Sequence, residues 1–346
     1  MGDILYFIDK TTPFVHKMYI ETEMNNRDFF DWIAKGRPVN TNIRSLCISY
    51  SNIRTLGNLE NLVSLYRLYC NNNMLESFDG IGNLRNLSEL YCYNNQLTSL
   101  EGIKNLRNLS ELRCNNNKLR SLHGIENLIG LKKLYCYNNQ LTSLEGMGNL
   151  TNLEELYCYN NNLTSLYGIE NLTNLIYLYC YNNQLTSLEG IENLVKLGIL
   201  HCFNNKLTSL ENLNSLQLLQ QLHCNNNKLT SLKGIENLTI LKFLHCENNQ
   251  LTSLEGIEIL VNFIKNIRKI KNYINRRLNY LTYDFIDRED FTELGNLFVD
   301  LLHRYNGDLI VDLDNCYDFD KYIDKYIKKI EKMIIDVNEF EKYIIT

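Results

Sequence analysis

Apolar side chains recur through the middle of the chain with a period that suits neither a long helix nor a hairpin sheet. Around Cys92, leucines stand at 84, 87 and 90 on one side and at 97 and 100 on the other, followed by Gly102 and Ile103. The arrangement returns every 22 residues, so that Cys70, Cys92, Cys114, Cys136, Cys158, Cys180, Cys202, Cys224 and Cys246 stand in one register. Self-similarity at a short fixed period predicts a solenoid, because one unit cannot bury its apolar face alone and only stacking completes the core. Cys47 falls out of register. Aligning Ile53 with Leu97 puts Ile48 at the reference position, which makes ten units, the first with Ile in place of Cys.

Each unit predicts a short strand followed by a turn. Glu89, Leu90, Tyr91, Cys92 and Tyr93 alternate, which in extended backbone sends Leu90 and Cys92 inward and Glu89, Tyr91 and Tyr93 outward. Stacked copies form a parallel sheet at about 4.8 Å per rung, roughly 45 Å for ten rungs. Leu84, Leu87, Leu97, Leu100 and Ile103 then fill the space between the sheet and the opposite wall. An Asn stands three places after every reference cysteine, from Asn73 to Asn249, with Ser51 in the first unit. An amide both donates and accepts, so this column is expected to be an inward ladder that satisfies the backbone of its own turn and of the next. The Asn before it, as at Asn94, is placed in the turn.

The unit LxxLxxLxCxxNxLxxLxGI resembles the leucine-rich repeat family, in particular the short 22-residue class of internalins and Sds22-like phosphatase regulators, over about residues 43–257. The resemblance implies an α/β solenoid with a curved parallel sheet on the concave face and a short helix or 3₁₀ turn in each unit. It implies a protein-binding scaffold, and more narrowly a phosphatase-regulatory subunit.

The period fails at both ends. Residues 1–42 are expected to form an N-terminal cap, with a short helix over Arg27–Ile33 ahead of Gly36 and Pro38. Residues 258–346 are expected to form a helical C-terminal module. Leu260, Phe263, Ile267, Ile270 and Ile274 fall at helical steps there, with Lys265, Arg268 and Arg277 on the other face. Asp312, Asp314, Asp318 and Asp320 do not make a calcium loop, since Cys316 and Tyr317 take the places of the third ligand and the glycine.

Charge and chemistry narrow the function. The chain carries 35 Lys and Arg against 40 Asp and Glu, net −5, so neither duplex DNA nor an anionic membrane is indicated as a partner. With no apolar run of membrane length and no leader-like segment, the expectation is a cytoplasmic monomer without membrane attachment. One Cys per rung lacks the paired spacing of structural zinc, so the cysteines are read as reduced core residues and no cofactor or metal is expected. No phosphate loop, zinc-protease, nucleophile-elbow or kinase pattern occurs, and the chain is expected to be non-enzymatic.

The candidate site is the outward face of the strands. One column runs Tyr69, Tyr91, Arg113, Tyr135, Tyr157, Tyr179, His201, His223, His245. The next runs Asn71, Tyr93, Asn115, Tyr137, Tyr159, Tyr181, Phe203, Asn225, Glu247. Tyr gives large contact area with few rotors and a polar tip, which suits a protein interface. Stacking that only stabilises the strands is the competing reading. A single-stranded RNA platform and a glycan site are two further readings, although Arg67, Arg113 and Lys133 are few cations for tracking a nucleic-acid backbone. His201, His223 and His245 are expected to form a flat stack that does not converge on a metal and that charges between about pH 5 and 7.

Overall fold

In the computed structural model, residues 23–39 and 42–252 are described. The expected C-terminal module, with its basic face and Asp cluster, lies outside the described residues, as do residues 1–22 and the last positions of the array. Ten strands follow the 22-residue period: β2 (Ser45–Cys47), β3 (Arg67–Tyr69), β4 (Glu89–Tyr91), β5 (Glu111–Arg113), β6 (Lys133–Tyr135), β7 (Glu155–Tyr157), β8 (Tyr177–Tyr179), β9 (Ile199–His201), β10 (Gln221–His223) and β11 (Phe243–His245). All pair in parallel with their sequence neighbours in one sheet, residue i opposite residue i + 22. The first unit has the predicted register, with Cys47 exposed opposite Tyr69 and Ile48 buried.

The sheet gains one strand that the period does not reveal. β1 (Glu23–Met24) pairs with β2, and its two residues are too short to show alternation. α1 (Asn26–Ala34) follows, enclosing the predicted helix. Asn25 starts it: its Oδ1 accepts from the backbone N–H groups of Arg27 and Asp28 at 2.9 and 3.2 Å. Met24, Phe29 and Trp32 are buried in the core that continues through the repeats, and Trp32 Nε1 donates to the Pro38 carbonyl at 2.8 Å.

Two Asn columns make the bend after each strand. The first, Asn72 to Asn248, takes the left-handed conformation with φ between 51° and 56°, a region Asn tolerates better than other residues with a Cβ. These exposed amides also join across rungs, as Asn160 Nδ2 donates to Asn138 Oδ1 at 2.6 Å. The second is the buried ladder. Asn139 Nδ2 donates to the carbonyls of Cys114 and Cys136 at 3.1 and 3.0 Å, and its Oδ1 accepts from Leu119 N–H at 3.0 Å. Each amide therefore joins its own rung to the preceding one, where the sequence reading had the next. The direction follows from what lies level with Oδ1: the N–H at the bend of the preceding unit, which takes this oxygen as its acceptor.

The repeat leucines and cysteines between the two walls are almost fully excluded from solvent. The repeat cysteines are not joined in disulfides, and burial pushes the thiol of Cys114 up to about 12, which keeps it protonated and unreactive. Cys92 Sγ donates to the Arg113 carbonyl at 3.2 Å.

The wall opposite the sheet is made of turns, with 3₁₀ helices at Glu101–Ile103 and Glu211–Leu213. Gly124 illustrates the commoner turn, with φ 107° and its N–H held by Glu126 Oε2 at 2.9 Å. Gly168, Gly190 and Gly234 are held in the same way by Glu170, Glu192 and Glu236. The two units that form 3₁₀ helices have Lys104 and Asn214 where those glutamates stand. Among the described residues no helix is long and apolar enough to cross a membrane.

Candidate functional site: the aromatic concave face

In-register pairing carries each outward column straight across the rungs. In the first column Tyr69 stacks on Tyr91 at 4.7 Å between ring centroids, and Tyr135, Tyr157 and Tyr179 stack at 4.5 and 4.7 Å with planes within 8°. Arg113 fills the break between them, its guanidinium 5.1 Å from the Tyr91 centroid and 4.6 Å from that of Tyr135. In the second column Tyr137, Tyr159, Tyr181 and Phe203 form one continuous stack with every step 4.3 Å. Tyr93 stands outside that stack, separated from Tyr137 by the rung of buried Asn115.

The stacking decides which part of each ring meets a partner. Rings packed face to face along the solenoid cover one another's π surfaces, so these Tyr stacks present ring edges and hydroxyl groups to the concave side; at the Tyr179–His201 step the planes cross at 78° instead. Burial holds the phenol pKa values of Tyr91, Tyr157 and Tyr159 above the usual tyrosine value, with nearby Glu111 and Glu89 acting on Tyr91, Glu155 on Tyr157, and Tyr137 on Tyr159. These hydroxyls are neutral hydrogen-bonding groups at neutral pH.

A third outward column, not singled out in the sequence, sets the charge of the face. Arg67 pairs with Glu89 at 2.8 Å, Arg113 with Glu111 at 2.6 Å, and Lys133 with Glu155 at 2.7 Å. Tyr91 donates to Glu89 at 3.1 Å, and Tyr135 and Tyr157 donate to Glu155 at 3.1 and 3.2 Å. The cations counted as available in the sequence are thus compensated in place. The signal was present two residues before the first column, where Arg67, Glu89, Glu111, Lys133 and Glu155 give way to Tyr177, Ile199, Gln221 and Phe243.

The histidines correct two expectations. His201 and His223 are parallel at 3.9 Å, but His245 is tilted by 56° to His223, so the stack is not flat throughout. Burial, then the neighbouring imidazoles, pushes His201 and His223 down to about 4, which replaces the expected charging between pH 5 and 7. His245 Nδ1 lies 3.9 Å from Glu247. Because the folded pKa lies below the unfolded value of about 6.5, the contribution to stability is complete above pH 6.5 and declines as pH falls toward 4. Imidazole NMR titration should find His201 and His223 neutral at pH 5.5, and His201→Gln with His223→Gln should flatten the stability profile between pH 6.5 and 4. Midpoints near 6.5 for both rings would contradict this burial. Among the described residues no group of His, Cys, Asp or Glu is placed to hold a metal ion.

Comparison with known proteins agrees with the geometry. The family model described as leucine rich repeats (2 copies) matches residues 85–128, 129–171 and 173–215. These units are leucine-rich repeats. A leucine-rich repeat protein of Leptospira interrogans is similar at 34% identity and TM-score 0.60, over 66% of this chain and 60% of that one. YopM of Yersinia enterocolitica is similar at 27% identity and TM-score 0.52, over 61% of this chain and 43% of YopM. The internalin InlF of Listeria monocytogenes is similar at 26% identity and TM-score 0.44, over 63% of this chain and 78% of InlF. The chain thus spans about three fifths of the Leptospira protein. No curated protein matches the chain.

Proposed function

We propose that the protein is a non-enzymatic scaffold that binds a protein partner on its concave face, through Tyr69, Tyr91, Tyr93, Tyr135, Tyr137, Tyr157, Tyr159, Tyr179, Tyr181, Phe203, His201, His223 and His245. The observation that carries this reading is the pair of ring stacks, which line the concave side with amphipathic edges held at fixed spacing. Large, ordered aromatic side chains give contact area at low entropic cost, as interface anchors do. Membership of the leucine-rich repeat family supports the same reading.

The two ring stacks favour protein over single-stranded RNA. Bases and sugars stack on ring faces, and those faces are covered by neighbouring rings. The cations a phosphate backbone would need are paired with glutamates. The phosphatase-regulatory reading rests on family resemblance alone. We place the protein in a reducing, cytoplasmic setting as a monomer, a reading in keeping with described cysteines that are not joined in disulfides.

The test is capture of a partner by the wild-type chain beside Tyr137→Ala with Tyr159→Ala. Truncating central interface aromatics often costs about 2 kcal/mol or more each, so the folded double mutant should lose capture. Undiminished capture would move the site off this face.

A further inference from the structure

Both outward columns of the concave face lose their ring on the rung of β5. In the first column the interruption is Arg113, whose guanidinium lies between Tyr91 and Tyr135, 5.1 and 4.6 Å from their ring centroids. In the second it is Asn115, which stands between the rungs of Tyr93 and Tyr137. Adjacent rings in that column are 4.3 Å apart, so two rungs separate the rings on either side of Asn115 by about 9 Å. Stacked bases in a duplex stand about 3.4 Å apart, so a planar group touching both rings needs about 7 Å. The first column shows that a gap of two rungs takes a planar group between tyrosines. Arg113 does not fill the second gap, because its Nε is drawn to Glu111 at 2.6 Å on the opposite side, in the third column. Among the described residues no other ringless rung of the second column has a ring on both sides, since Asn71 is followed back to Ser49 and Asn225 on to Glu247.

The floor of this gap is polar. Asn115 is 4% exposed, and its backbone carbonyl accepts from Asn94 N–H at 3.1 Å and from Asn117 Nδ2 at 3.2 Å. Its side-chain amide has no hydrogen-bond partner among the described residues, unlike that of Asn71, whose Oδ1 accepts from the Ser49 hydroxyl at 2.7 Å. The outward position on extended backbone aims the amide at the space between the rings.

We propose that the gap at Asn115 is a site for a single adenine base, inserted between Tyr93 and Tyr137 with its edge on the Asn115 amide. The amide presents a donor beside an acceptor, the pair with which Asn binds adenine N6 and N7. Two ring faces call for a ligand that is planar on both sides, and nucleobases stack on aromatic side chains in this way. Protein side chains match the gap less well: Trp brings only a donor, and Arg would set a second cation beside Arg113. Everywhere else in the second column from Tyr137 to Phe203 the ring faces cover one another, which limits the site to one base. Arg67, Arg113 and Lys133 are paired with glutamates, so the base is read and not a phosphate. The site is independent of protein binding elsewhere on the face.

The test is equilibrium dialysis of the full chain against tritiated adenosine, with one saturable site per chain expected. Purine riboside, which lacks the N6 amine, should compete at least fivefold more weakly than adenosine. AMP should compete within threefold of adenosine, unchanged between 0.05 and 0.5 M NaCl, because no ion pair forms. Asn115→Tyr, which places in the gap the residue type of the rungs on either side, should abolish binding without lowering the melting temperature. Asn115→Ala should weaken it at least fivefold, and Asn225→Tyr, on the rung of β10, should leave it unchanged. Absence of saturable binding by the wild type, or undiminished binding by Asn115→Tyr, would overturn the proposal. A ten-residue oligoadenylate that bound more than tenfold more tightly than adenosine, with the gain lost in salt, would replace it with a strand-tracking site. Capture of a protein partner by a wild-type chain that binds no adenosine would leave the scaffold standing and strike the base site alone.

Discussion

Asn139→Ala is expected to lower the stability of the array by about 3 kcal/mol, because it removes the partner of several buried backbone groups at once. Its amide donates to the Cys114 and Cys136 carbonyls and accepts from Leu119 N–H, and the residue is 9% exposed. Deletion leaves the Leu119 N–H unpaired inside the wall, and one unsatisfied buried group alone costs about 1–3 kcal/mol. The neighbouring Gln140→Ala is the control. Gln140 is exposed and accepts only a long contact from Arg120 at 3.4 Å, so its loss should stay within about 0.5 kcal/mol. Urea unfolding of both variants beside wild type separates the two cases, and an unchanged transition for Asn139→Ala would show that the ladder does not hold the rungs together.

Gly124→Ala should be comparably damaging for a different reason. Gly124 sits at φ 107°, where a residue with a Cβ is strained by about 1–3 kcal/mol. Its added Cβ would stand 2.6 Å from both the carbonyl carbon and oxygen of Leu100, backbone atoms of the preceding unit that cannot move without opening the stack. A total of about 3 kcal/mol or more is expected once overpacking is added to strain. Gly146 offers the comparison. It has φ 95° and a similar conformational cost, but its Cβ would meet only the flexible side chain of Glu126, at 3.4 Å. Gly146→Ala should therefore cost about half as much, and equal losses for the two variants would place the strain in the conformation alone.

Much of this architecture is legible in the sequence because the repeat does the averaging. Nine cysteines at one spacing disclose the period, the alternation around them discloses which side faces in, and the recurring Asn discloses a ladder. Features that depend on the distance between rungs are not visible in that way. The sequence places Tyr157 above Tyr135 but does not say that their rings lie 4.5 Å apart and nearly parallel, which is what turns a set of stacking platforms into two ridges of ring edges. It shows Arg67, Arg113 and Lys133 but not that each finds a glutamate on its own or the next rung, since the pairing is set by side-chain reach across the sheet. The low pKa of His201 and His223 likewise follows from burial between neighbours. The glutamate after Gly-Ile reads as a surface charge until the structure shows Glu126 holding the N–H of Gly124.

The central claim is that a protein partner lies on the stacked aromatic columns of the concave face. Hydroxyl-radical footprinting of the wild-type chain, alone and with a captured partner, tests it most directly, because tyrosine oxidation reports access ring by ring. Tyr157, Tyr159, Tyr179 and Tyr181 should lose reactivity in the complex, whereas Tyr167, 66% exposed in the turns away from the sheet, should keep it. Protection of Tyr167 with Tyr159 and Tyr181 still reactive would contradict the account.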